Sequence, residues 1–400
     1  MSESWFENMR IIIHCDEYTP RHVPSAIRMQ VFATVFQRLG NQVTVLAGNN
    51  SLDGGSKRAK EAVYCPTIPL KKKTPLNRLA NQLSFGFSSC IKSCFVGKAD
   101  IVITTSPPAL VSIFGWMIAK LKGAKLIYDV RDIWPDVGVE MGSFSKNGFY
   151  YKAFSFIANF MFRQADLVTT VSEGKVAKIK AKLPNSMQSK VLLVGNGIDE
   201  NFVKQKANSE VIKKYDLNSK FTCIYVGNVG LAQGLAHLLD LAESVDKDKY
   251  QFLIFGKGAE KEMLEKEAEK RNLTHVRFCG TVDENTVYSL LNYSAMTYIP
   301  LVNSNLKDSI PTKTYEALGA ACPIFMVADG DATKLVYDSG LGMVLSPDNI
   351  EDLTRVFRIF VRDYSFIKSK RENAIRYVLE NHSRQKIARQ FEKELHKLVD

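Results

Sequence analysis

The chain has 400 residues, too many for one ordinary hydrophobic core, so two or three domains of common size are expected. Its 46% hydrophobic and 24% charged residues are those of a folded globular protein and argue against a disordered or low-complexity chain. The formal net charge of +11 is uneven: residues 1–190 hold 25 Lys and Arg against 13 Asp and Glu, or +12, while residues 191–400 hold 28 against 29, or −1.

A basic half beside a neutral half points the first at something anionic: nucleic acid, an acidic lipid surface or a phosphorylated acceptor. The seven cysteines are scattered, without a CxxC pair or metal-ligand spacing. They argue against a disulfide framework or zinc site and fit a reducing compartment. The opening MSESWFENMR carries no apolar run, so no secretory signal is expected, and no stretch reaches the roughly 18–20 apolar residues of a membrane span. Membrane contact would be peripheral.

In chain order, Arg10 to His14 reads as a short apolar strand, followed by the loop DEYTPRHVPS, a helix-period segment from Ala26 to Leu39 and a second strand from Gln42 to Leu46. Residues 70–96 place Leu76, Leu79, Leu83, Phe87, Cys90, Ile91 and Cys94 at helical spacing behind the cluster Lys71, Lys72 and Lys73. That is either a basic amphipathic helix suited to an anionic membrane or a core helix of the first domain. Strands follow at Ile101–Thr104, Lys125–Tyr128, Leu167–Val171 and Val191–Val194, with a helix over Ala109–Leu121. The aromatic segment Gly148 to Phe162 reads as core.

The pattern restarts after NGIDENF at Asn196–Phe202, with strands at Thr222–Val226, Tyr250–Phe255, His275–Phe278, Ala295–Ile299, Ile324–Val327 and Gly342–Leu345. Helices such as Leu235–Ser244 and Ala259–Arg271 separate them. Alternation of this kind predicts two α/β, doubly wound, Rossmann-like domains. The divisions expected are 1–195, 196–382, and a C-terminal segment 383–400 whose Ile387, Phe391, Leu395 and Leu398 would pack back across the boundary.

Two stretches carry the chemistry. YVGNVGLAQG, Tyr225 to Gly234, is a glycine-bracketed turn after an apolar strand, which permits close backbone approach to a ligand. Asp308, Lys313 and Glu316 lie around a turn that opens a helix: a lysine can neutralise a diphosphate, and a carboxylate one turn on can accept both hydroxyls of a ribose. The alternative for Lys313 is a solvated surface lysine, and for the loop a purely structural turn. Arg131 and Asp132 follow a strand and should stand at its carboxyl end, either at a ligand crevice or as a salt-bridge pair. Arg28 and Asp16 flank the first loop as candidates for phosphate or acceptor contact, and His14 at the strand end reads as structural.

With ITTSPP (Ile103–Pro108), YDVRDIWPD (Tyr128–Asp136), ADLVTTVSEG (Ala165–Gly174), GNGID (Gly195–Asp199), FGKGAE (Phe255–Glu260) and IPTKTYEALGAACPI (Ile310–Ile324) in this order, the chain resembles family four of the retaining glycosyltransferases. That family has two facing Rossmann-like domains, the GT-B architecture. RDIWPD, GNVGLAQG and IPTKTYE are most similar to the subgroup that includes the L-fucosamine transferases of bacterial O-antigen and capsule assembly. The resemblance implies a UDP-sugar donor held by Gly227, Asn228, Gly230, Gln233, Gly256, Ser309, Ile310, Thr312, Lys313 and Glu316. Glu316 would meet the ribose and Lys313 the diphosphate, and Ser309 to Thr312 would lie near the transferred sugar.

By the same resemblance Asp132, Arg131, Lys313 and Asp308 carry catalysis; on the amphipathic reading of residues 70–96, Lys71, Lys72, Lys73, Arg78, Leu83 and Phe87 would meet the membrane. Two departures matter: Asp308 stands where the family has glutamate, and Asn228 and Gln233 stand where many relatives have a cationic pair. The implied activity is transfer of an N-acetylated or deoxy amino sugar to a polyprenyl-diphosphate-linked saccharide. The implied place is the cytoplasmic face of the membrane, with no metal and no other cofactor. An epimerase of the same architecture, acting on the donor alone, is the enzymatic alternative. A basic nucleic-acid-binding protein is the other, though no nucleic-acid motif supports it.

Overall fold

The computed structural model describes residues 8–21, 23–49, 58–70, 74–141 and 145–399. The chain divides into two compact units, residues 1–196 with 385–400, and residues 197–384.

The first unit is built on a seven-stranded sheet of β1 (Arg10–Cys15), β2 (Gln42–Gly48), β3 (Ala62–Cys65), β4 (Ile101–Ser106), β5 (Lys125–Val130), β6 (Leu167–Thr170) and β7 (Val191–Leu193). Its spatial order is β3-β2-β1-β4-β5-β6-β7, and every pairing is parallel. The strands are apolar on both sides because helices cover both faces, and the alternation of side chains sorts them into two cores. Ile11, Ile13, Ile101, Ile103 and Ile127 point to one face, where Met29, Phe32 and Phe36 of α1 (Pro24–Arg38) meet Ala388, Phe391 and Leu395 of the Arg384–Val399 helix. Ile12, Val102, Leu126 and Tyr128 point to the other. There α2 (Pro75–Ser93), α3 (Ala109–Lys122), the Phe149–Gln164 helix and the Glu173–Ala181 helix contribute Phe85, Ile118, Phe162 and Ile179.

The second unit repeats the plan with six parallel strands: β8 (Phe221–Val226), β9 (Tyr250–Phe255), β10 (Val276–Gly280), β11 (Met296–Pro300), β12 (Ile324–Val327) and β13 (Gly342–Leu345), in the order β10-β9-β8-β11-β12-β13.

Three expectations need adjusting. The short edge strand β3 has no counterpart in the sequence reading: its four residues are mostly half-buried and follow a charged stretch, so neither alternation nor an apolar run announces it. The Phe149–Gln164 helix is core only along one stripe, through Ala158, Met161 and Phe162, while Phe149 and Phe156 are 81% and 73% exposed. The helix after the glycine turn runs Ala236–Glu243, and the turn itself contains a 3₁₀ turn over Leu231–Gln233.

Candidate functional site

In an open parallel sheet, ligands bind beyond the carboxyl ends of the strands where the strand order reverses, because the connections there diverge to opposite faces and leave a crevice. The second sheet reverses between β8 and β11. Two segments therefore flank that point, Gly227–Gly234 after β8 and the stretch after β11 that runs through Asp308 to the Lys313–Gly319 helix.

The β8 and β9 loops lock together by backbone. Gly227 N–H donates to Phe255 O at 2.9 Å, Val229 N–H to Lys257 O at 3.0 Å, and Glu260 N–H back to Val229 O at 3.1 Å. Gly227 at φ +148° and Gly256 at +145° take backbone conformations that side-chain-bearing residues rarely adopt, and a Cβ on Gly256 would lie 1.8 Å from Gly227 O. Both positions need glycine. Above them lies a hollow of about 280 Å³ lined by Gly227, Asn228, Gly256, Lys257, Thr281 and Val282.

Lys313 enters from the first position of its helix. Its Nζ lies 3.9 Å from the centre of the Tyr225 ring and 2.9 Å from where a Gly227 Cβ would stand, so glycine is also what leaves room for the cation. The ammonium is shielded from solvent and makes no hydrogen bond. Burial lowers its pKa to about 7, opposed by the Glu316 carboxylate one turn along. Glu316 is itself pushed up by burial, against the pull of Arg384 and Lys313. The ring face of Tyr225 compensates part of the charge, and its hydroxyl donates to Asn228 O at 2.5 Å, bracing the loop. A buried cation held against a ring face, with Glu316 one turn along but no hydrogen-bonded anion, is only partly compensated, and a bound anion is what completes it.

The remaining donor candidates lie along the same two segments. Gly230 is buried, Asn228 is exposed, and Asn228 Nδ2 donates to Gln233 Oε1 at 3.5 Å. Ser309, Ile310 and Thr312 are half-buried, and Asp308 is 5% exposed in the turn beside Leu306, whose carbonyl accepts from Ser309 N–H at 3.0 Å. Sequence reasoning missed Tyr225 and Arg384. An aromatic at the buried end of a strand looks like core, and Arg384 lies outside every motif.

In the first unit the order reverses between β1 and β4, which places Asp16 after one and Pro107–Pro108 after the other. Arg131, just past β5, donates through Nε to Thr105 Oγ1 at 3.1 Å and through Nη2 to Pro107 O. Asp16 is raised to about 6 by burial and by neighbouring Glu17, with Arg131 pulling the other way. Asp132 is 43% exposed and pairs at 3.7 Å with the buried Lys175 Nζ.

Arg28 is occupied within the unit. Its guanidinium meets both oxygens of the fully buried Asp129 and donates to the carbonyls of Val194 and Gly195, so its donors serve the unit's own structure and not the open acceptor contact expected. His14 is buried between Thr104 Oγ1 and Ser89 Oγ, stacked on Phe85, and burial lowers it to about 3. Folded, it binds fewer protons than unfolded, so it costs stability as the pH falls from about 6.5 toward 3. A His14→Gln variant should lose less stability than the parent between pH of about 7 and 4.5 in denaturant titrations; an equal loss would refute this.

Arg78 and Phe87 are exposed and Leu83 half-buried on α2, while Lys71, Lys72 and Lys73 lie outside the described residues. Among the described residues no cluster of His, Cys, Asp and Glu is arranged to hold a metal ion, and no helix is long and apolar enough to cross a membrane.

Residues 207–380, nearly all of the second unit, match the profile of the family described as glycosyl transferases group 1. WbjE of Pseudomonas aeruginosa, named as a glycosyltransferase, is 22% identical over 262 residues, spanning 65% of each chain, a little under two thirds. WcaI of Escherichia coli K12, named for colanic acid biosynthesis, is 23% identical over 347 residues, 78% of this chain and 81% of that one. Among solved structures, Anabaena HepE in complex with UDP-glucose superposes with a TM-score of 0.75 at 15% identity, covering 97% of this chain and 99% of that one. That likeness establishes the fold: two parallel-sheet α/β domains of the GT-B kind.

Proposed function

We propose that this protein is a retaining glycosyltransferase that moves a sugar from UDP to a polyprenyl-diphosphate-linked saccharide during assembly of a bacterial surface polysaccharide such as an O-antigen or capsule. The observation that carries the reading is Lys313: a shielded ammonium without a hydrogen-bond partner, held against Gly227 at the switch point of the second sheet. A diphosphate supplies the missing anion there, and Glu316 one turn along takes the ribose hydroxyls. The group 1 match over residues 207–380 and the names of the two relatives favour sugar transfer over donor isomerisation.

In this mechanism the acceptor hydroxyl attacks from the face that the diphosphate leaves, and the departing phosphate takes the proton. Configuration is retained and no protein base is needed. Lys313 and the N–H groups of the glycine turn stabilise the developing charge, the kind of preorganised donor whose loss costs most. No metal enters the scheme. The transferred sugar, an N-acetylated or deoxy amino sugar, lies toward Asp308 and Ser309–Thr312, and Arg131, Asp132 and Asp16 face the acceptor at the inner surface of the cell membrane.

The test is thermal denaturation with UDP, GDP, ADP and TDP. At about 100 times the dissociation constant a native-state ligand adds about 2.7 kcal/mol, a rise of several degrees. UDP should raise the melting temperature, and Glu316→Ala should remove most of the rise without lowering the melting temperature of the free protein. No rise with any nucleotide, or an undiminished rise in Glu316→Ala, would overturn the donor site.

A further inference from the structure

Three helices lie side by side on one face of the first sheet, with α3 packed against both α2 and the Phe149–Gln164 helix. Phe87 meets Phe114 edge-on at 5.2 Å across one seam, and Trp116 meets Phe160 at 5.1 Å across the other. Their inward residues fill the core, yet many of their outward residues are large apolar side chains in place of the polar ones a solvated helix presents. Phe87, Ile91 and Leu121 are 60–65% exposed, and Phe149 and Phe156 more so. Adjacent exposed aromatics and aliphatics of this kind mark a surface that meets something else.

The charges say what that is. Across Pro75–Ser93, Ala109–Lys122 and Phe149–Gln164 there is no aspartate or glutamate, while Arg78, Lys92, Lys120, Lys122, Lys152 and Arg163 are all cationic. A second copy docked on this face would set cations against cations. An anionic bilayer offers acidic headgroups to the cations and an acyl boundary to the Phe and Ile side chains.

We infer that the outer surface of these three helices is a lipid-docking face that seats the protein on an anionic phospholipid membrane. This deepens the lipid-carrier part of the function proposed above. It extends the contact well beyond α2, and it gives the outer stripe of the Phe149–Gln164 helix a role that a core assignment does not.

Vesicle cosedimentation of the full chain tests it, with phosphatidylcholine alone and with about a third phosphatidylglycerol. Binding is expected to the anionic vesicles only and to weaken with salt. The pair Phe149→Glu and Phe156→Glu should reduce it by at least about tenfold. The melting temperature and its rise with UDP should stay unchanged, which separates failure of this face from failure of the donor site. Equal vesicle binding by the double variant overturns the inference. So does equal binding to neutral vesicles, or a parent that ignores both vesicles and sediments as a dimer.

Discussion

Asp129→Ala is expected to destabilise the first unit by about 3–5 kcal/mol, the loss typical when one partner of a buried ion pair is removed and the other is stranded. Asp129 is fully buried and accepts from Arg28 Nε at 3.1 Å, Arg28 Nη2 at 2.8 Å and Thr169 Oγ1 at 2.7 Å. Burial alone would push its carboxyl up, but the Arg28 charge and hydrogen bonds, with Thr169 and Arg131, hold it below the ordinary aspartate value. Its contribution is therefore present above the unfolded-state pKa and is lost as the pH falls through the folded one.

Arg28→Met should cost a similar amount, since Arg28 also ties α1 to the carbonyls of Val194 and Gly195, just before the chain leaves this unit. Combining Arg28→Met with Asp129→Leu removes both charges. Because a buried pair often does little better than apolar residues of like volume, the double variant should be more stable than either single one. Urea denaturation of the parent, Arg28→Met, Asp129→Leu and the double variant measures the coupling. Additive losses would show that the two side chains act independently and would refute the pair as the organising contact.

This pair also shows what the sequence can and cannot reveal. Strand and helix order is legible because buried parallel strands are apolar runs between helical periods, so the restart after Phe202 separates two similar domains. Arg28 looked like a ligand contact because it lies near a strand-end loop. Its real partner sits in an apolar strand 101 positions away, and nothing local in YDV distinguishes a buried carboxylate from an exposed one. The Phe149–Gln164 helix misleads the other way: aromatic richness reads as core, although only the Ala158–Met161–Phe162 stripe is buried. At the candidate donor site, Lys313, Glu316 and the glycine turn were legible by spacing. Tyr225 was not, because its part depends on β8 delivering a ring face under a lysine from a distant helix.

The largest functional effect is expected at that lysine. Lys313→Ala should lower turnover by about 10²–10³, the loss of about 3–4 kcal/mol that follows when one donor to developing charge is removed. A lysine could be required for packing alone, so a second readout is needed, and its titration supplies one. In the free protein burial holds Lys313 at about 7, well below the unfolded value of 10.5, so above neutrality the folded state carries fewer protons. The cost of burying this charge is accordingly present below about 7 and fades as the pH rises toward the unfolded value.

A bound diphosphate restores the lysine's charge. At pH of about 8.5, where the terminal phosphate with its ordinary pKa of about 6 is already ionised, UDP binding should take up close to one proton, and affinity should fall as the pH climbs further. Calorimetry in two buffers of different ionisation enthalpy counts that proton. Lys313→Met should abolish the uptake and, with no ammonium left uncompensated, should melt at or above the parent temperature without nucleotide, giving up binding for stability. Proton uptake that survives in Lys313→Met, or an alanine variant with full turnover, would assign the diphosphate to another cation.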